Sequence, residues 1–304
     1  MNYLGLLGEY PVNRYLNDIE IANKLEQKTK LNIQPAHQLS TIKINSQFIE
    51  LVDKYFMWKG HLAMFAMSAI VLFTAMIVGT IVTGFTRPGG MSGGEWVVVF
   101  VLLIGVPPIL FFFSKLKKEA FAYTHYPIRL NRQTRMVHVF RVDGTVLSVP
   151  WDEVFFCIAS AGKGNWEIQG HILGKDKKTV FDTFAFMLVT SSKSGSSVLK
   201  NYWEFVRRYM EEGPESVIEG ITAYLPISDQ RETFVAAFRR MHFTLGAGFF
   251  ILEFLILLIY LIIYPARWFA MRTSKIPQWP KEIEAQCPVE DNDPYARDYR
   301  NNLA

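Results

Sequence analysis

The sequence predicts an α+β membrane protein, with three transmembrane helices and one small antiparallel β-domain closed by an amphipathic helix. Three observations predict it. Apolar stretches at 60–86, 96–114 and 243–264 are each about long enough to cross a ~30 Å hydrocarbon core at ~1.5 Å per residue. The polar middle alternates apolar and polar side chains between turn-forming residues. At its end Val198, Leu199, Tyr202, Phe205, Val206, Tyr209 and Met210 recur at i, i+3, i+4 spacing. The mean hydropathy of +0.13 decides nothing alone, because polar segments at both ends dilute it.

Residues 1–59 form an N-terminal cytoplasmic segment. Its start lacks a basic stretch followed by a long apolar one, so no cleaved signal peptide is expected. Residues 17–28 predict a short helix. Phe48, Leu51, Val52, Tyr55 and Phe56 fall at helical spacing, which predicts a helix over 47–57, either interfacial or packed on protein. Residues 60–114 are a transmembrane hairpin. Ala75, Gly79 and Thr83 put small side chains on one stripe, where another helix, nearest the second span, can approach closely. The glycine-rich link 87–95 can turn the chain but not form a domain. Pro107-Pro108 removes two backbone donors within the second span and predicts a kink or break.

Residues 115–242 read as one β-rich domain with C-terminal helices. Strands are expected at 128–130, 136–142, around Leu147 and Val149, and at 154–159, 165–173 and 179–190. Asn131-Arg132-Gln133-Thr134 and Asp143-Gly144 supply turns, the latter being the strongest hairpin signal in the chain. Several antiparallel strands followed by one amphipathic helix is how the pleckstrin-homology-like folds are built. A connecting helix is expected over 228–241, capped by Ser228. The third span, 243–264, leads to an irregular polar tail, 265–304. Lys54 and Lys59 before the first span, and Lys115, Lys117 and Lys118 after the second, place the β-rich domain in the cytoplasm. Parity then puts the tail outside, although Arg267, Arg272, Lys275 and Lys281 favour the inside.

Candidate chemistry is sparse. A net charge of +4 without a basic run argues against nucleic-acid binding. Cys157 and Cys287 give neither a disulfide framework nor a metal spacing. Gly90-Met91-Ser92-Gly93-Gly94 has the spacing of a nucleophile elbow, but it lies in a turn between two spans and reads as a flexible link. The six histidines do not pair at ligand spacing; His138 and His171 are expected at strand surface positions. No cofactor, metal or catalytic set is expected. Glu253, in the middle of the third span, is the unusual ionisable residue, since a charge there costs roughly 2.5–3.5 kcal/mol on insertion scales. Its expected role is a helix-gluing hydrogen bond to Ser68, Thr74 or Thr80, or contact with a membrane-embedded partner. Trp151-Asp152 at a strand end is either an exposed recognition corner or a core tryptophan beside a solvated acid, and the second is preferred.

Two stretches carry a family resemblance. One runs His125-Tyr126-Pro127-Ile128-Arg129-Leu130-Asn131-Arg132 to Val149-Pro150-Trp151-Asp152; the other runs Arg272-Thr273-Ser274-Lys275-Ile276-Pro277-Gln278-Trp279-Pro280 with 282–295. Together they resemble an uncharacterised family of proteobacterial inner-membrane proteins often encoded beside type VI secretion effectors. The resemblance implies an immunity or accessory protein for a secreted antibacterial effector. With no catalytic motif in the chain, the preferred reading is a non-enzymatic immunity protein that binds its cognate effector at the bacterial inner membrane, with homo-oligomerisation open. Two alternatives remain: an effector-loading or secretion-accessory protein, and a transporter or membrane enzyme using Glu253.

Overall fold

Alternation and turn chemistry act where they were expected to. The computed structural model describes residues 4–88, 90, 94–162, 164–191, 196–237 and 250–302. In chain order the strands are β1 (Arg14–Tyr15), β2 (Thr41–Ile44), β3 (Phe48–Leu51), β4 (Ile128–Asn131), β5 (Met136–Phe140), β6 (Val146–Pro150), β7 (Val154–Gly162), β8 (Asn165–Leu173) and β9 (Thr179–Thr190). They make two antiparallel sheets, a five-stranded one in the order β2-β3-β4-β5-β6 and a four-stranded one in the order β1-β9-β8-β7. Gly144, at φ +86°, takes the left-handed position of the β5–β6 turn, and Arg141 N–H donates to Thr145 O at 2.8 Å.

The helices are α1 (Asp18–Ala22), α2 (Lys54–Trp58), α3 (His61–Thr86), α4 (Glu95–Glu119), α5 (Ser196–Glu212), α6 (Phe250–Thr273) and α7 (Lys281–Ala285). Helix α1 starts at a reciprocal capping box between Asn17 and Glu20. Helix α5 lays Leu199, Tyr202, Trp203, Phe205, Val206, Tyr209 and Met210 into the core. There they join Ile49, Leu130, Val137, Trp151, Phe156 and Phe186 from the two sheets. The α+β class with an amphipathic closing helix is therefore present.

The chain divides into two compact units. The first comprises Met1–Met57, Thr124–Thr244 and Ile276–Ala304; the second comprises Trp58–Tyr123 and Leu245–Lys275. In the second unit α3 and α4 are long and apolar enough to cross a membrane, the two such helices among the described residues. Gly105 permits their contact, since a Cβ there would lie 2.9 Å from Ile77 Cδ1. Near the start of α3, Ala63 and Ala66 pack with Ala266 and Ala270 of α6. Gly60, at φ +99°, is held against the Arg267 backbone, with a Cβ there falling 2.6 Å from Arg267 Cα.

Several expectations need correction. The helix expected over 47–57 is strand β3 followed by the short α2. Strand β3 lies between β2 and β4 and is buried on both faces, so its apolar residues mimic helical spacing instead of alternating. Pro107-Pro108 does not break the second long helix: α4 runs unbroken from Glu95 to Glu119. Residues 228–233 are not helical, so Ser228 is no cap; 234–237 are helical and 238–249 lie outside the described residues. Of the expected third span, 243–249 likewise lie outside them, and 250–264 form the first part of α6, which continues to Thr273. The tail 265–304 is neither uniformly irregular nor separated from the β-rich domain. Its first residues finish α6, and 276–304 belong to the same unit as the sheets. Ile44 and Arg297 exchange backbone hydrogen bonds of 2.9 and 3.0 Å, and Ser46 N–H donates to Asp293 at 2.7 Å. A tail built into that unit cannot lie across a bilayer from it.

Candidate functional site

The residues singled out by sequence are divided between the units, Trp151 and Asp152 in the first and Ala75, Gly79, Thr83 and Glu253 in the second. Ala75, Gly79 and Thr83 are all exposed, with open space where a Gly79 Cβ would point; Met76, Ile77 and Thr80 are less exposed. The small-residue stripe thus faces away from α4. The backbone of Glu253 is in α6, but its side chain lies outside the described residues. Of its expected partners, Thr80 gives its hydroxyl to Met76 O of its own helix at 2.9 Å, while Ser68 and Thr74 are exposed. The glycine-rich elbow spacing at 90–94 is largely outside the described residues.

Trp151 is fully buried, stacked on Trp203 with ring centroids 5.6 Å apart, and its indole N–H donates to Glu211 at 2.8 Å. Asp152 stays at the surface and takes Arg135 in a two-pronged pair at 2.6 and 2.7 Å. His138 and His171 are buried, correcting their surface placement. They sit in different sheets, each bonded at 2.8 Å to a cross-strand hydroxyl, Ser148 and Thr183 respectively. Among the described residues no group of three or more His, Cys, Asp or Glu is placed to hold a metal ion.

The first unit carries instead a cleft of about 510 Å³, within the size range of binding sites. Three separate stretches build it: the N-terminal segment from Gly5 to Val12, the β5–β6 hairpin from Val139 to Leu147, and β9 from Phe181 to Ala185. Asp53, Tyr55 and Tyr126 complete the wall. Each piece has a physical reason to stay in place. Asp53 caps α2, accepting from Tyr55 N at 2.7 Å and Phe56 N at 3.1 Å, and its other oxygen accepts from Tyr126 N at 2.6 Å. The Tyr55 hydroxyl donates to Leu4 O at 2.7 Å.

Behind the wall lies a buried polar cluster. Tyr10 donates to Glu167 Oε1 at 2.9 Å, and Lys54 Nζ donates to Glu167 Oε2 at 2.8 Å. Burial first, then the Glu167 charge, pushes the Tyr10 phenol well above its usual range. Burial pulls the Lys54 ammonium down, against the opposing charge of Glu167. Lys54 and Glu167, both at most 2% exposed, pin α2 to β8, and the Tyr10 hydroxyl ties the N-terminal segment to the same carboxylate.

The cleft's electrostatics are one-sided. Four carboxylates line it, Glu9, Asp53, Asp143 and Asp182, against a single guanidinium, Arg141, which is paired to Asp182. Glu9 and Asp143 are exposed, as are the apolar Val12, Val142 and Phe181. Hydrogen bonds from the hydroxyl and then the backbone of Thr145 hold the Asp143 carboxyl below its usual range. Tyr10, Tyr55, Tyr126, Phe140 and Phe184 supply aromatic faces within. Acids and aromatic rings together suit a cation with an apolar stem.

None of this was marked in the sequence beyond the Asp143-Gly144 turn. Tyr10 and Glu167 meet across 157 residues, and no local spacing reports such a contact.

The chain belongs to a family of unknown function (DUF6708), whose model matches residues 108–291. No curated protein and no solved structure matches it.

Proposed function

We propose that this member of a family of unknown function is a membrane-anchored binding protein whose β-rich unit takes a cationic, amphipathic segment of a partner protein in the acidic aromatic cleft. The observation that carries the reading is the cleft's four carboxylates against one paired guanidinium, set beside exposed apolar side chains.

Anchoring is supported by α3 and α4, whose 26 and 25 residues exceed the ~20 needed for a span and whose apolar windows are only 6% buried. A compact unit sits on one side of a bilayer, so every excursion from it must return to the same face. Residues 58–123 do so with two crossings. The first unit resumes at Ile276, directly after α6, which favours an α6 that enters the bilayer without a single full pass. The lysines flanking the hairpin support a cytoplasmic side for the β-rich unit at a bacterial inner membrane. The run β3 to β6 in one sheet, β7 to β9 in the other, then α5, supports a pleckstrin-homology-like reading with the hairpin inserted between its first two strands.

The partner we propose is the cognate secreted effector that the resemblance to proteins encoded beside type VI effectors implies. Binding would neutralise it and protect the producing cell. The test deletes the gene, keeps its neighbours, and competes the mutant with its parent. Killing of the mutant, reversed by the wild-type gene but not by E9K/D143K at equal protein level, supports the reading. A mutant that survives yet no longer kills others points to an accessory role. Full protection by E9K/D143K removes the cleft from the account.

A further inference from the structure

One end of the helical unit carries a charge pattern that the partner cleft does not explain. Helices α4 and α6 finish together there: Lys275 N–H donates to Ala122 O at 2.9 Å, Ser274 Oγ donates to Glu119 O at 3.3 Å, and Phe121 meets Phe269 edge-on at 5.8 Å. Around these ends stand Lys115, Lys117, Lys118, Arg272 and Lys275, all exposed except the half-buried Lys115. The carboxylate at this end, Glu119, is buried and accepts from Ala63 N–H. Among the described side chains of the unit the other carboxylate, Glu95, lies at the opposite end of α4.

Cations in a last helical turn complement the helix dipole, which accounts for Lys117, Lys118 and Arg272 in part. It does not account for Lys115, a turn earlier, or for Lys275, beyond the helix. Nor does it account for where the charges rest. Lys115 Nζ sits 5.0 Å from the Phe111 ring, Lys117 Nζ 4.8 Å from Phe113, and the Arg272 guanidinium 5.8 Å from Trp268. Those rings are themselves exposed, at 54%, 44% and 51%. Three of the five cations therefore stand above an outward-facing aromatic side chain. That is a two-level surface, with positive charge at one level and apolar rings at the next, continuous with the exposed apolar flank of α4.

We propose that this end of the helical unit is a binding surface for anionic phospholipid. Lipid phosphates neutralise Lys115, Lys117, Lys118 and Arg272, while the start of the acyl chains lies against Phe111, Phe113 and Trp268. A free phosphate would satisfy the charges alone and leave the rings in water, so the lipid is the occupant that uses both levels. The inference rests on the membrane reading given above and goes beyond it by naming the lipid class.

The test places the full chain in nanodiscs of phosphatidylcholine alone and of phosphatidylcholine mixed with phosphatidylglycerol, and measures Tm. Phosphatidylglycerol should raise the Tm of the wild type, and raised salt should shrink that shift. The shift should vanish in K115Q/K117Q/K118Q/R272Q and persist in K175Q/K177Q/K178Q, which removes charge from the exposed β8–β9 turn. Equal Tm in the two discs, or a shift retained by the first variant, overturns the lipid inference alone. A chain that enters neither disc overturns the membrane reading and this inference with it.

Discussion

At the scale of single residues, two buried imidazoles make the β-rich unit sensitive to acid. His37 lies before β2, where its Nε2 accepts from Thr222 N–H at 3.2 Å, so the ring is neutral with its proton on Nδ1. Burial pushes it down to about 4. Burial, and then the charge of Arg129, pushes His138 down to about 4 as well. In the unfolded chain an imidazole titrates near 6.5. Between those values the unfolded state binds more protons, so acidification favours unfolding. Stability from both groups should be complete above about pH 6.5 and shrink as pH falls towards about 4. A Tm-against-pH series on the wild type should slope across that window, and H37Q/H138Q should flatten the slope. A parallel slope in the double variant would remove the histidines as the cause. Neither burial was legible in sequence: His37 lies outside the strands and meets Thr222 across 185 residues, while His138 in its strand reads as surface unless its cross-strand hydroxyl is known.

At the scale of elements, one buried arginine anchors the first part of the C-terminal segment. Arg129 of β4 is fully buried, with its guanidinium between the rings of Phe48 and Trp279 at 4.4 and 4.7 Å. Its Nε and Nη2 donate to Glu50 Oε2 at 3.0 and 2.8 Å, and Nη2 reaches Glu284 of α7 at 3.1 Å. Trp279 donates to the same Glu50 oxygen at 3.0 Å. Burial pushes the Glu50 carboxyl up, but the charges of Lys43 and Arg129 prevail and hold it below its usual range. Arg129→Met keeps roughly the volume and leaves that carboxylate buried with its closest charge partner gone. A loss of about 3–5 kcal/mol is expected in denaturant unfolding of the intact chain in detergent. Limited proteolysis should then cut within 276–302 before the sheets. A loss under ~1 kcal/mol with the segment still protected would contradict this docking.

The same element shows where sequence reading succeeds and where it stops. Strands β4 to β9 and α5 were legible because turn residues bound them and their apolar residues repeat at the expected period. Strand β3 was not, since both its faces are buried and its neighbour β4 follows only after the long hairpin. The tail was misread because it has no periodicity of its own. Proline and polar residues there mark a strap held by long-range contacts, not a free end. The cleft failed for a related reason: its walls come from three stretches that only the finished sheets bring together.

At the scale of the whole molecule, anchoring through α3 and α4 requires the β-rich unit and residues 276–302 to share one side of the membrane, with the link between α3 and α4 on the other. Cys157 and Cys287 are buried, so single reporter cysteines can be read against a quiet background. The most direct measurement places them at Ser92, at Lys177 in the β8–β9 turn and at Asn302, and labels intact cells with a membrane-impermeant maleimide. Ser92→Cys should label at once, while Lys177→Cys and Asn302→Cys should label only after the membrane is opened. Labelling of Asn302→Cys in intact cells, with Lys177→Cys protected, would contradict the account.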